Sequence, residues 1–129
     1  MAVSIVGRSD ASGTSNHSAG VAGDIRIYKS QTDYLTLLEF CAHIHNPGNN
    51  ISRAEGWGCW HIVNELLNNL EARRFVRIRA RPLKECIIYC DSQSFVNRPT
   101  LFSWRECQFH FEDVYGCKLE LRTSVPATS

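Results

Sequence analysis

The stretch that most constrains this chain is Arg73–Cys90, RRFVRIRARPLKECIIYC, where a run of positive charge leads directly into a pair of cysteines. Arg73, Arg74, Arg77, Arg79, Arg81 and Lys84 fall within it with no acidic residue between Arg73 and Lys84, although the whole chain carries a net charge of only +1. Arg77, Arg79 and Arg81 alternate with Val76, Ile78 and Ala80, the period of a half-buried strand. Their guanidinium groups would then project from one face about 6.6 Å apart. Planar guanidinium groups bind phosphate oxygens in pairs, so the stretch reads as an RNA-binding strand that can double as a nuclear or nucleolar address. Pro82 lacks a ladder donor and ends the strand or confines it to an edge.

Six cysteines in 129 residues supply the second constraint. The N-terminus shows no charged region followed by an apolar one and no apolar run reaches membrane-spanning length. The reading therefore expects reduced cysteines and no membrane partner. Reduced cysteines in a small domain point to metal or to buried thiols. Cys86 and Cys90 form C-x3-C, sixteen residues separate them from C-x2-H at Cys107 and His110, and Cys117 follows after six more. Two close pairs split by a loop suit a structural Zn2+ site with Cys86, Cys90, Cys107 and His110 as ligands, Cys117 being the alternative fourth.

Along the chain, residues 1–23 are rich in small polar side chains and read as a flexible tail. Ser30 to Asp33 reads as a capping box opening a helix from about Gln31 to His45, with Tyr34, Leu37, Leu38, Cys41 and Ile44 as its buried stripe. A second helix is expected from about Trp60 to Arg74, and a strand over Ile87–Tyr89. A turn at Tyr115-Gly116 then leads to a last strand, Lys118 to Arg122. The expected fold is an α+β zinc-binding domain over 24–122, its helical pair (24–74) packed on a short antiparallel sheet that carries the basic strand and the finger (75–122). Residues 123–129 form a flexible C-terminal tail. Cys41, His43 and His45 are ligands by type, but residues two apart on a helix face different ways, so they are read as structural. Cys59 and His61 open the second helix, where they could form a second metal-ligand pair or supply ligands to the first cluster; the alternative is a hydrogen-bonded pair of His61 with Glu65, four residues on along the same face.

A basic block, EARRFVRIRARPLK, running into ECIIYC with Cys107 and His110 behind it resembles the cysteine-rich proteins of rod-shaped plant RNA viruses, most closely the fourteen-kilodalton protein of benyviruses. The resemblance implies a non-catalytic suppressor of host RNA silencing that supports long-distance movement. It would depend on zinc, act in the host cytoplasm and nucleus or nucleolus, and have RNA or host silencing proteins as partners. A homodimer would double the arginine surface. The enzymatic alternative rests on Gly58-Cys59-Trp60: a cysteine opening a helix, with His110 downstream, is the arrangement of a papain-like viral protease.

Overall fold

The computed structural model describes residues 3–15, 17–69, 73–74, 83–97, 99 and 103–123. Five strands form one mixed sheet: β1 (Val3–Ser15), β2 (Ser18–Tyr28), β3 (Tyr34–His45), β4 (Leu83–Cys90) and β5 (Leu119–Thr123), in the spatial order β3-β2-β1-β4-β5. β1, β2 and β3 make an antiparallel meander, whereas β4 runs parallel to β1 and β5 parallel to β4. Helices α1 (Ile51–Asn68), α2 (Gln93–Asn97) and α3 (Trp104–Tyr115) complete the described elements.

The core lies on one face of the sheet. Ile5 pairs with Ile27 and with Cys86, and Cys86 pairs with Leu119, so these residues form one row. They pack under Ile62, Val63 and Leu66 of α1, Phe95 of α2 and Trp104 and Phe111 of α3. The Tyr115 hydroxyl donates to the Leu66 carbonyl, tying α3 to α1. The opposite face carries the row Glu39, Asp24, Arg8, Tyr89 and Arg122, one residue from each strand.

This architecture corrects the expected helical pair on a short antiparallel sheet. Residues 3–15 and 18–23, expected within a flexible tail, form β1 and the first part of β2, the two long strands at the heart of the sheet. Their small side chains admit the helix. A Cβ on Gly58 would come within 1.9 Å of Ser9 Oγ, and one on Gly56 within 2.6 Å of Phe95, so α1 lies closer to β1 and α2 than larger residues permit.

The expected helix over Gln31–His45 is strand β3. Its Ser30–Asp33 hydrogen bond exists, with Asp33 N–H donating to Ser30 Oγ at 3.1 Å, but it closes the turn between β2 and β3. The second helix starts earlier than expected, where the Asn50 side chain accepts from Arg53 N–H at 3.0 Å. Gly116, at φ +65°, ends α3 ahead of β5. No helix of the described residues is long and apolar enough to cross a membrane.

Candidate metal centre

Asp10 and Asp91 are brought together by the parallel pairing of β1 with β4. Ser9 is the register partner of Cys90, so the next residue of each chain segment, just past the end of the β1–β4 ladder, is an aspartate. Glu55 arrives from α1, seated by a hydrogen bond from the Ser9 hydroxyl to the Glu55 carbonyl at 3.2 Å. Ser92 braces the other side: its Oγ donates to Ser52 Oγ at 2.9 Å and accepts from Phe95 N–H at 3.2 Å, linking the end of β4 to the first turns of α1 and α2. One carboxylate oxygen from each of Asp10, Glu55 and Asp91 lies within 4.8 Å of the others.

Glu55 is only 3% exposed, while Asp10 and Asp91 face solvent. Burial pushes the Glu55 carboxyl up to about 7, helped by the nearby charges of Asp91 and Asp10 and opposed by backbone hydrogen bonds from Ser92 and Ala11. Its Oε2 atom is buried without a hydrogen-bond partner. A buried carboxylate with an unpaired oxygen, held against two more carboxylates, is an unfavourable arrangement unless positive charge sits between them. The donors are all oxygen, which suits a hard divalent cation such as Mg2+ or Mn2+. The residues therefore fit a metal ion, and they are the only such group of three among the described residues. Asp10 and Asp91 also line a cleft of about 960 Å³ together with Arg8, Asp24, Glu39, Phe40 and Tyr89.

The expected zinc ligands are not brought together. On a strand, Cys86 and Cys90 stand four residues apart, about 13 Å, instead of folding back as a knuckle does. Both are buried in the core, Cys86 near Cys117 and Cys90 against Cys59. Cys107 is half-buried and His110 exposed on α3. Among the described residues no thiolate–imidazole group of three or more lies within ligand reach.

Cys59 lies two turns inside α1, fully buried. Its thiol is pushed well above its ordinary pKa, chiefly by donating to Cys90 and then by burial. It is no exposed helix-terminal nucleophile, which removes the papain-like reading. His61 stacks on Trp57 with centroids 5.1 Å apart and stands 3.9 Å from Glu65. Of the basic stretch, Arg73 is half-buried, and Arg74 and Lys84 are exposed. They flank the C-terminal end of α1 and the start of β4, the ends remote from the acids. Arg77, Arg79 and Arg81 lie outside the described residues.

No protein-family model matches this chain, and no curated protein does. Solved structures match over nearly its full length. LC11-RNase H1, solved in complex with an RNA/DNA hybrid, superposes with a TM-score of 0.53 at 16% identity, covering 96% of this chain and 86% of that one. The solution structure of the PFV RNase H domain gives 0.51 at 13% identity, covering 100% and 85%. The fold is the RNase H fold.

That fold, together with the gathered acids, overturns the expectation of a non-catalytic zinc-finger protein acting as a silencing suppressor. The missed residues left only a partial signal: Asp91 directly follows the apolar strand segment ECIIYC, at the carboxyl end where ligands bind in open α/β sheets, whereas Asp10 lies inside β1 and Glu55 inside α1 with nothing local to mark them.

Proposed function

We propose that this chain is a divalent-cation-dependent nuclease that hydrolyses phosphodiester bonds of nucleic acid bound over the Asp10–Glu55–Asp91 centre. The observation that carries the reading is the buried Glu55 carboxylate, one oxygen unpartnered, held within reach of two aspartates, an arrangement that positive charge would stabilise. The likeness to LC11-RNase H1 supports it and makes an RNA/DNA hybrid the first substrate to test.

A divalent cation held there would neutralise charge on the scissile phosphate and lower the pKa of water, the usual contributions of such ions to phosphate hydrolysis. The chain's own groups divide the remaining work. Glu55, fixed by α1 and the amides of Ser92 and Ala11, is the rigid anchor of the centre. Asp10 and Asp91, exposed at the cleft, would hold the ion together with Glu55. Arg8 lines the same cleft and offers a guanidinium to a neighbouring phosphate.

The test is hydrolysis of an end-labelled RNA/DNA hybrid, single-stranded RNA, double-stranded RNA and double-stranded DNA with Mg2+ or Mn2+, beside a thermal-shift titration of each ion. Cation-dependent cleavage together with cation-dependent stabilisation supports the reading. Failure of both ions to raise the melting temperature, with no cleavage of any substrate, overturns it.

A further inference from the structure

The sheet has two edges, and they are built differently. β5 is five residues long and carries an ion pair along its length, Arg122 to Glu120 at 2.7 Å. β3 is twelve residues long, contains neither lysine, arginine nor proline, and has Glu39 as its one charged residue. Shortness, charge and proline are the usual means of keeping a sheet edge from pairing with another chain, and β3 has little of any of them. Its single irregularity is a bulge at Leu37; from Leu38 to His45 it pairs with β2 without interruption. No strand among the described residues pairs with its outer side.

Side chains alternate cleanly along that segment. Glu39, Cys41, His43 and His45 are exposed, whereas Leu38, Phe40, Ala42 and Ile44 are half-buried on the helix-bearing face. We propose that the outer edge of β3 docks a second copy of this chain, antiparallel, about a twofold axis normal to the sheet at Cys41.

An axis normal to the sheet opposes only residues from the same face, and at Cys41 the oppositions from Leu38 to Ile44 are complementary. Glu39 faces His43 of the partner subunit, and the reciprocal pair repeats it. Leu38 faces Ile44 of the partner subunit and Phe40 faces Ala42 of the partner subunit, while the two Cys41 side chains meet at the centre. Neighbouring registers fit less well. An axis at Glu39 sets two carboxylates directly opposite, which destabilises a cross-strand pair. An axis at Phe40 leaves Glu39 against Cys41, and one at Ala42 sets Leu38 against Asn46, beyond the strand.

Because the interface is isologous, it closes at two copies with ten strands and does not propagate. Glu39 also lines the cleft that holds Asp10 and Asp91, so each partner's His43 sits at the rim of the other's cleft. The interface is independent of whether the centre cleaves anything.

Sedimentation of the full chain, from dilute to concentrated solution, should show twice the monomer mass, and Cys41→Lys should return it to monomer with unchanged circular dichroism. Register is read by disulfide trapping in a Cys41→Ser background. Glu39→Cys mixed with His43→Cys should cross-link under oxidised glutathione, and neither variant should do so alone. A monomer at every concentration, or open-ended assembly, would overturn the proposal. Cross-linking of Glu39→Cys to His45→Cys in preference to His43→Cys would overturn the register.

Discussion

Two sets of candidate metal ligands share this small molecule, and the fold treats them in opposite ways. Asp10, Glu55 and Asp91 are far apart in sequence, yet they converge to within 4.8 Å. Cys86, Cys90, Cys107, His110 and Cys117 look clustered in sequence and are spread between the core and the outer side of α3. The difference lies in the backbone between ligands. A parallel strand pair and a crossing helix bring three distant residues to one point, whereas an extended strand separates two near ones. Cys90 and Asp91 show this at a single peptide bond, one a buried thiol beneath the centre and the other an exposed carboxylate within it.

The sharpest way to break that contrast is to remove one member of each set. Asp10→Asn should lower cation-dependent hydrolysis by roughly 100-fold or more, with matching loss of the cation-induced thermal shift. Cys107→Ser and His110→Gln should leave both unchanged. If instead a zinc chelator unfolds the protein and the Asp10 variant is active, the acids are not the centre and the thiols are.

Glu55→Gln should separate stability from binding, with a sign set by pH. Folding raises this carboxyl from 4.5 to about 7, so the stabilisation it provides is full below 4.5 and is lost as pH rises through 7. Above neutrality the metal-free native protein therefore carries an unfavourable buried charge beside two aspartates. Glutamine removes that charge. The variant should melt higher than the parent in metal-free buffer above neutrality, and should gain nothing from Mg2+ or Mn2+. The parent's cation affinity should rise as pH increases through 7, which a thermal-shift titration at several pH values reads directly.

Gly58→Ala tests the packing that sets the centre's geometry. The added methyl meets Ser9 Oγ and Val21 in place of open space, and overpacking of this kind costs about 1–3 kcal/mol. Because Ser9 also holds the Glu55 carbonyl, cation affinity should fall along with the denaturation midpoint. Unchanged affinity would show that α1 can shift without moving Glu55.

The strands of the second half were legible in the sequence: β4 contains the expected Ile87–Tyr89 segment, β5 overlaps the expected last strand, and Gly116 turns the chain ahead of β5, whereas helices α2 and α3 were not expected. The first half was not legible, for two physical reasons. Tyr34, Leu37, Leu38, Cys41 and Ile44 satisfy helical spacing, but the same segment alternates between half-buried and exposed residues from Leu38 onward, and pairing with β2 decides between the two periods. Residues 3–23 read as a tail because Gly7, Ser9, Ala19 and Gly23 are small. They are small because a helix or a neighbouring ring lies on them, a tertiary requirement that composition does not display. The centre was missed for a related cause: each acid stands alone in sequence, and only the topology places them together.

The smallest predicted effect supplies the control. Glu65 stands on α1 ten residues beyond Glu55, partly exposed, near His61 and accepting from Asn69 at 2.7 Å. It therefore shares the helix and the chemistry of Glu55 without its burial or its facing carboxylates. An i,i+4 pair at a surface contributes a few tenths of a kcal/mol, so Glu65→Gln should shift the denaturation midpoint by no more than about 0.5 kcal/mol and leave cation binding as it was. Equal effects at Glu55 and Glu65 would mean that helix electrostatics in general, and not the convergence of three acids, governs the response to divalent ions.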